Sequence, residues 1–410
     1  MSDSKKKVPK RRFEEFSNAN DWEQRKLGEV TESFDGKRVP IDSGLRVLGE
    51  YPYYGATGII DYVDDYIFDG EYVLLAEDGA NIIMRNNPVA YLTQGKFWLN
   101  NHAHIMRIIE GNNYFLVQVL EKIDYIKYNT GTAQPKLNSK IVKNIEFKLP
   151  QIEEQQKIGA FFKQLDDTIA LHQRKLEKIK ALKTAYLSEM FPAEGESKPK
   201  RRIAGFTDDW EQRKLMSVFE FPVSTNSLSR SQLNYDNGEI KSVHYGDILV
   251  NYDSILEIAK DRIPFITNGV IDKYKPNLLE NGDLIFADAA EDETVGKAVE
   301  VDGKTNEYIV AGLHTIVARP RRKMAKFFWG YYINSSIYHN QLLRLMQGTK
   351  VASISKSNLQ KTCIAYPDNF AEQQKLGNFF KQLDNTITLH QRKLQKLQNI
   401  KKAYLNEMFI

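Results

Sequence analysis

The stretch EQQKIGAFFKQLDDTIALHQRKLEKIKALKTAYLSEMF at residues 154–191 returns at residues 372–409 as EQQKLGNFFKQLDNTITLHQRKLQKLQNIKKAYLNEMF. The two copies are identical at 27 of 38 aligned positions. A match of this length indicates an internal duplication, which must be recognised before any single motif is interpreted. Neither copy has an interior proline, so each is predicted to form one uninterrupted helix.

Each copy carries a seam of residues separated alternately by four and three positions, the spacing of a coiled coil. At 1.5 Å per residue, 38 residues make a helix of about 57 Å. A helix with such a seam needs a partner, and we expect the two copies to pack antiparallel. The central seam residues are Ile158, Phe162, Leu165, Ile169, His172 and Leu176 in the first copy, and Leu376, Phe380, Leu383, Ile387, His390 and Leu394 in the second.

Two further expectations concern these helices. In an antiparallel pair related by a pseudo-twofold axis, His172 and His390 should face each other near the midpoint. Four apolar residues off the seam exceed what two helices would bury, so either the intervening regions or another protein must cover them. They are Phe161, Leu171, Leu182 and Leu187.

A second repeated motif, DWEQRKL, occurs at residues 21–27 and again at 209–215. The regions that follow each copy share little identity, so constant segments alternate with variable ones. We divide the chain into an N-terminal tail with the first motif (1–27), a variable region (28–150), a central helix (151–191), a linker with the second motif (192–215), a second variable region (216–367) and a C-terminal helix (368–410).

Composition restricts the class of protein. The chain has 410 residues, of which 27% are charged, a net charge of +4 and a single cysteine, Cys363. An intrachain disulfide is therefore impossible and a cysteine-rich zinc site is excluded. Neither a signal peptide nor a run of about 20 apolar residues is present, so the sequence predicts a cytoplasmic protein.

Both variable regions are predicted to be α/β domains with β-rich cores, which makes the whole chain α+β. Short apolar runs between glycine and asparagine turns indicate strands. The predicted strands are YVLLA (72–76), AYLT (90–93), HIMRII (104–109), IEFKLP (145–150), VNYD (250–253), LIFAD (284–288) and HTIVARP (314–320), and the predicted helices are residues 114–128 and 327–343.

Polar and basic side chains in the predicted loops are candidates for DNA contact, because they hydrogen-bond to phosphates and base edges. Packing of the same tyrosines within the domains is the open alternative. The candidates in the first region are Lys37, Arg38, Tyr53, Asn81, Lys96, Asn101, Thr132, Gln134 and Lys136. In the second region they are Ser227, Arg230, Tyr252, Asp288, Thr294, Lys297, Lys350, Ser353 and Lys356.

The motif search favours a protein without catalytic or metal-binding residues. Neither a GxxxxGK[ST] phosphate loop nor an HExxH metal site occurs. His102 and His314 stand at matching places before a strand, and a loop-anchoring role is favoured over catalysis. The alternatives that stay open are an enzyme with its active site around Asp288 and Glu291, and a purely structural coiled-coil adaptor.

With KKKVPKRRF (5–13), WEQRKLGEV (22–30) and the two helical blocks, the chain resembles the specificity (S) subunits of type I restriction-modification systems, especially staphylococcal and related Firmicute members. The resemblance covers essentially the whole chain. It implies that each variable region is a target recognition domain for one half of a bipartite, asymmetric DNA site.

The resemblance also implies the partners and cofactors. The two helices would space the domains and dock two methyltransferase (M) subunits, which carry S-adenosylmethionine. Restriction (R) subunits would add ATP- and Mg²⁺-dependent cleavage of double-stranded DNA. This chain itself would hold no cofactor.

Overall fold

The computed structural model describes residues 8–348 and 351–410, and the chain divides into two compact units. Unit 1 comprises Met1–Arg174 and Gln391–Ile410, and unit 2 comprises Lys175–His390. Each unit therefore contains one variable region, the beginning of one long helix and the end of the other. Within the described ranges, no helix is long and apolar enough to cross a membrane.

The strands of unit 1 are β1 (Glu23–Lys26), β2 (Thr31–Ser33), β3 (Leu48–Gly55), β4 (Gly58–Val63), β5 (Phe68–Asp69), β6 (Tyr72–Ala76), β7 (Ala90–Thr93), β8 (Lys96–Leu99), β9 (Ala103–Ile108) and β10 (Glu146–Leu149). They form two four-stranded sheets, in the orders β2-β9-β6-β7 and β4-β3-β8-β5. A short ribbon, β1-β10, pairs the first DWEQRKL motif with the strand that precedes the long helix. The helices of the variable region are short: α1 (Leu27–Val30), α2 (Asn81–Met84), α3 (Asn113–Lys122) and α4 (Ser139–Lys143). The first long helix, α5 (Ile152–Glu189), begins directly after β10.

The strands of unit 2 are β11 (Glu211–Lys214), β12 (Phe219–Glu220), β13 (Leu233–Asn234), β14 (Ile240–Val243), β15 (Ile255–Glu257), β16 (Phe265–Ile266), β17 (Leu284–Ala287), β18 (Ala289–Ala290), β19 (Ala298–Asp302), β20 (Tyr308–Ala311), β21 (Thr315–Pro320), β22 (Ala352–Ser353) and β23 (Cys363–Tyr366). They repeat the arrangement of unit 1 with more strands: a sheet in the order β12-β21-β17-β19-β15, a second in the order β13-β16-β14-β20, and the ribbons β11-β23 and β18-β22.

The helices of unit 2 are mostly short. They are α6 (Leu215–Val218), α7 (Tyr245–Val250), α8 (Ile271–Tyr274), α9 (Phe328–Ile333), α10 (Ser336–Leu343) and α11 (Lys356–Lys361), and the second long helix is α12 (Phe370–Met408). The predicted α+β fold with two β-rich domains and two long helices is confirmed.

The predicted seam of the long helices is confirmed by burial. All twelve central seam residues are buried or partly buried, whereas most residues around them are exposed. Off the seam, Phe161 and Leu187 pack partly buried within their units. Leu171 and Leu182 stay 43% and 38% exposed, so the domains of this chain do not cover them.

The helices run antiparallel within each unit. In unit 1 the ring of Phe161 packs against that of Tyr404, with 5.0 Å between the centroids. In unit 2 the equivalent pair is Phe379 and Tyr186, at 5.3 Å. In both pairs the start of one helix meets the end of the other. His172 belongs to unit 1 and His390 to unit 2, and their facing stays a prediction.

Each core is built around the same four aromatic side chains. In unit 1, Phe409 at the chain end lies 5.4 Å from Phe115, 5.7 Å from Phe162 and 6.2 Å from Trp22, measured between ring centroids. In unit 2, Phe191 takes the place of Phe409 beside Phe328, Phe380 and Trp210, at 5.9, 5.6 and 6.3 Å. The repeated Met-Phe ending and DWEQRKL motif therefore serve the same packing role twice.

Three predicted elements differ from the structure. The predicted strand VNYD is wrong: Val250 ends α7, which His244 starts by accepting a hydrogen bond from the backbone N–H of Gly246. The predicted helix 114–128 ends at Lys122, and Asp124 then accepts from the backbone N–H of Ile126 in a local turn.

The predicted helix 327–343 is interrupted between α9 and α10. The hydroxyl of Ser335 accepts from the backbone N–H of Tyr338 and caps α10. The amide of Asn334 donates to the carbonyls of Ala298 and Gly330 at 2.7 Å. Local hydrogen bonding by these two side chains separates the two helices.

Candidate nucleic-acid interface

A junction of three segments recurs in both units at the end of a central strand. In unit 1 the backbone N–H of Glu77, after β6, donates to the carbonyl of His102, and the N–H of Leu137 donates to Glu77, at 2.9 and 2.7 Å. In unit 2 the N–H of Asp288, after β17, donates to His314, and Ile354 donates to Asp288, at 3.0 and 2.9 Å. The two domains thus share this junction although their sequences differ.

A histidine and a carboxylate face each other at both junctions. Nδ1 of His102 lies 2.9 Å from an oxygen of Asp78, and Nδ1 of His314 lies 3.2 Å from an oxygen of Asp288. Both histidine side chains are half exposed, at 52% and 51%. Burial raises the pKa of Asp288 above its ordinary value, although the nearby charge of His314 opposes the shift.

Several candidates of the first region meet at the junction of unit 1. The backbone of Lys136 bridges to that of Asp78, and its Nζ lies 3.5 Å from Glu77. Gln134 is exposed beside Gly79, and Thr132 is exposed on the same segment. Asn101 precedes His102 and is also exposed. These exposed polar side chains are available to a ligand.

Arg38 also lies at this junction, but the prediction that it contacts DNA is wrong. Its Nη1 donates to Glu77 at 2.6 Å and to the carbonyl of Ala103 at 2.8 Å, and its side chain is only 13% exposed. The guanidinium therefore holds the junction together rather than facing a ligand. The neighbouring Lys37 is exposed, with its Nζ over the ring of Phe34.

Two other candidates of the first region also make internal contacts: burial makes the prediction for Tyr53 wrong, whereas the partly exposed Asn81 stays a prediction. Tyr53 lies within β3 and is 1% exposed, with its hydroxyl bonded to the backbone N–H of Ile41. The amide of Asn81 is engaged by the backbone of Asn87, which it binds through both its oxygen and its nitrogen. Lys96 lies apart from the junction, in β8, and extends its Nζ over the ring of Tyr66 at 4.5 Å.

In unit 2, the second junction gathers Asp288 and Ser353, because β18 directly after Asp288 pairs with β22. Ser353 is exposed. Lys356 is exposed nearby in sequence and donates to the carbonyl of Phe221 at 3.1 Å. Ser227 and Thr294 are exposed elsewhere in unit 2. Lys350 lies outside the described residues.

Three candidates of the second region are engaged internally. Tyr252 is 3% exposed and donates its hydroxyl to the carbonyl of Arg262. Lys297 donates to the carbonyls of Leu249 and Tyr252 at 3.1 and 2.7 Å, and burial lowers its pKa. Arg230 pairs with the fully buried Asp247, with 2.8 Å between Nη1 and Oδ2. The prediction of DNA contact is therefore wrong for Tyr252 and Lys297, whereas Arg230 keeps half of its side chain exposed.

Sequence reasoning missed two surfaces. The guanidinium of Arg262 lies 4.4 Å from the ring centroid of Tyr235, a cation–π pair that no spacing in the sequence predicts. In unit 1 the hairpin of β3 and β4 exposes aliphatic side chains, including Leu48 at 83% and Ile60 at 50%. The run of two isoleucines in GIIDYV breaks the alternation expected of a half-buried strand and is the one signal that the sequence offers.

The acidic residues near Asp288, namely Glu291, Asp292 and Glu293, are not arranged as a metal site. Among the described residues, no three histidine, cysteine, aspartate or glutamate side chains gather closely enough to hold a metal ion. Asp292 instead accepts from the backbone N–H and hydroxyl of Thr294.

Comparison with known proteins agrees with this architecture. The family model described as "Type I restriction modification DNA specificity domain" matches residues 19–181 and 207–399, one match to each half of the chain. A putative type I restriction enzyme specificity subunit of Haemophilus influenzae is 26% identical over 385 residues, covering 92% of each chain. The type I restriction enzyme MjaVIII specificity subunit of Methanocaldococcus jannaschii is 23% identical, covering 94% of this chain and 91% of the relative.

A solved structure shares the fold. The crystal structure of the S subunit of a type I restriction-modification system from M. genitalium superposes with a TM-score of 0.63 at 13% identity, covering 98% of this chain and 99% of the other. The narrower resemblance to staphylococcal members stays a prediction. Because the family model covers most of the sequence in two successive matches, the chain belongs to the family of type I restriction-modification DNA specificity subunits.

Proposed function

We propose that this specificity subunit reads a bipartite, asymmetric DNA site, one half with each variable domain. The observation that carries the proposal is the repeated junction in two domains of different sequence. A shared frame with different surface residues is what two readers of different half-sites require. The exposed residues Asn101, Gln134 and Lys136 in unit 1, and Ser353 in unit 2, are the leading candidates for contact.

As a specificity subunit, the chain recognises DNA and is not an enzyme. The chemistry then belongs to its partners. We propose two M subunits that carry S-adenosylmethionine and methylate adenine, and R subunits that use ATP and Mg²⁺ for cleavage. In this scheme the long helices space the domains and dock the M subunits. The exposed Leu171 and Leu182 support docking, since unburied leucines on a helix suit an apolar partner.

Reconstitution tests this division of labour. The chain, the M subunits and their mixture would each be incubated with genomic DNA and labelled S-adenosylmethionine. Methylation is expected from the mixture only. Methylation by this chain alone would instead support the enzyme alternative around Asp288 and Glu291, and failure of the mixture to bind any duplex would support the structural adaptor.

A further inference from the structure

His102 and His314 present one ring nitrogen outward in the same way. Each ring is held through Nδ1 by its aspartate, and Nε2 has no hydrogen-bond partner among the residues that the structure describes. His104 provides a contrast within unit 1. It is buried, and it uses Nδ1 for Asp35 at 2.8 Å and Nε2 for the carbonyl of Leu137 at 2.7 Å. His104 thus uses both ring nitrogens within the fold, whereas His102 and His314 each leave Nε2 available to a ligand.

The backbone at the second junction is also strained. His314 has a φ of +53°, in the left-handed region that non-glycine residues seldom adopt. Its ring meets that of Tyr245 edge-on at 5.2 Å between centroids. Strain of this kind persists where the surrounding structure fixes it, and it concentrates at binding sites.

We propose that His102 and His314 each bind a backbone phosphate of DNA through Nε2, with Asp78 and Asp288 orienting the rings. This inference rests on the proposed function and names a contact within it. A ring that carries a proton on both nitrogens donates one to the aspartate and the other to a phosphate oxygen.

The recurrence of the pair favours phosphate over a base edge as the ligand. The two variable regions share little sequence identity, as readers of different half-sites would. Base contacts carry sequence information and must differ between the domains, whereas phosphate contacts fix position and can stay the same. In unit 1 the remaining carboxylate of the junction, Glu77, is paired with Arg38 and Lys136. These two cations offset its negative charge, so it does not prevent a phosphate from binding nearby.

Asparagine and glutamine substitutions test the hydrogen bonds of the two ring nitrogens separately. In His102→Asn the amide can keep a hydrogen bond to Asp78 but leaves nothing at the place of Nε2. In His102→Gln the longer side chain places a neutral donor near Nε2. The same pair of substitutions applies to His314, and His339→Asn is the control because Nε2 of His339 already binds the carbonyl of Glu293.

The test uses the chain co-purified with its M subunits and two duplexes, one carrying the site found methylated in the host genome and one without it. Fluorescence anisotropy at a series of salt concentrations gives affinity and salt slope. We expect His102→Asn and His314→Asn each to weaken binding of both duplexes about tenfold. The salt slope should fall by about 0.9 for each phosphate that is no longer bound. Glutamine should restore part of the affinity, and His339→Asn should change neither quantity.

Other results would overturn the inference in distinguishable ways. If the unmodified complex binds the site duplex and the asparagine variants bind it equally well with the same slope, the phosphate contact is wrong and the proposed function stands. If the weakening is confined to the site duplex, the histidines read bases instead. If the unmodified complex does not prefer the site duplex at all, the proposed function itself fails.

Discussion

Lys401 on the second long helix is paired with Asp166 on the first, with 2.7 Å between Nζ and Oδ1. The hydroxyl of Tyr114, from α3 of the variable region, donates to the same carboxylate at 2.7 Å. Burial, reinforced by Asp166, raises the pKa of Tyr114, so its hydroxyl stays a donor. Unit 2 repeats this triad with Lys183, Asp384 and Tyr331. One carboxylate in each unit therefore joins the variable region to both long helices.

Loss of this carboxylate should loosen the attachment of α3 to the helices. Asp166→Ala removes two hydrogen bonds from a partly buried group, which should cost about 2 kcal/mol of local stability. Asp167→Ala is the matched control, since Asp167 is 69% exposed and pairs with Lys163 of its own helix. Native-state hydrogen exchange of the α3 amides measures the difference. Equal protection in the two variants would show that the triad contributes nothing.

A buried ion pair fixes the segment before each variable region to the start of a long helix: the N-terminal tail in unit 1 and the linker in unit 2. Arg12 binds both oxygens of the fully buried Glu154 at 2.7 and 2.6 Å, and Arg202 binds Glu372 in the same way. Arg12→Met leaves a buried carboxylate without its partner, so we expect a loss of about 3 to 5 kcal/mol of unfolding free energy in unit 1.

Two further variants separate the effect of the buried ion pair from that of a surface pair. The exposed Arg11, which pairs with Glu407 at the surface, provides the control Arg11→Met, which should have little effect. The double variant Arg12→Met with Glu154→Leu removes both charges and should recover much of the stability. Urea denaturation compares the series, and an Arg12→Met protein as stable as Arg11→Met would refute the assignment.

Glu300 predicts a pH dependence for unit 2. Burial raises its pKa from 4.5 to about 7, while it accepts the backbone N–H groups of Phe327 and Gly330. The folded state therefore binds the proton more tightly than the unfolded state. This contribution is complete below pH 4.5 and is lost as the pH rises through about 7, up to about 3 kcal/mol.

The variant Glu300→Gln removes the titrating group and should abolish this dependence, but its amide nitrogen cannot accept one of the two backbone N–H groups. That lost hydrogen bond costs the same at every pH, so the stability of the variant relative to the unmodified protein should rise between pH 5 and pH 8, as measured by thermal denaturation. Glu280→Gln serves as the control, because Glu280 is 65% exposed. A stability difference between the Glu300→Gln and unmodified proteins that does not change with pH would contradict the prediction.

Exchange of residues 28–150 for the equivalent region of another family member should change one half-site and leave the other intact. The physical reason is that each unit has its own core and its own copy of the junction. Methylation sites of the hybrid, mapped with the same M subunits, check this. A hybrid with both half-sites altered would show that the domains do not read independently.

The sequence predicts the fold wherever a pattern repeats along the chain. It does not predict which side chains of the variable regions are exposed for DNA contact. The seam follows from the spacing of residues such as Ile158 and Phe162, because a helix converts spacing directly into one face. Tyr53 and Tyr252, in contrast, are candidates by their chemistry alone, and both are buried. Nothing local distinguishes a tyrosine of a loop from one that packs in a core.

The histidine–aspartate pairs of the two junctions are likewise only partly predictable from the sequence. The matching places of His102 and His314 are visible in the sequence, but their aspartates occupy different positions. Asp288 corresponds to Glu77 by its backbone hydrogen bonds, whereas the partner of His102 is Asp78. A carboxylate displaced by one residue is invisible to alignment and requires the folded backbone.

Mapping of methylated adenines across the host genome, with and without the gene for this chain, is the most direct test of bipartite DNA recognition. We expect one bipartite motif with two different halves that is methylated only when the gene is present. Replacement of residues 28–150 should change only one of those halves. A methylation pattern that does not depend on the gene would show that this chain does not select the DNA site.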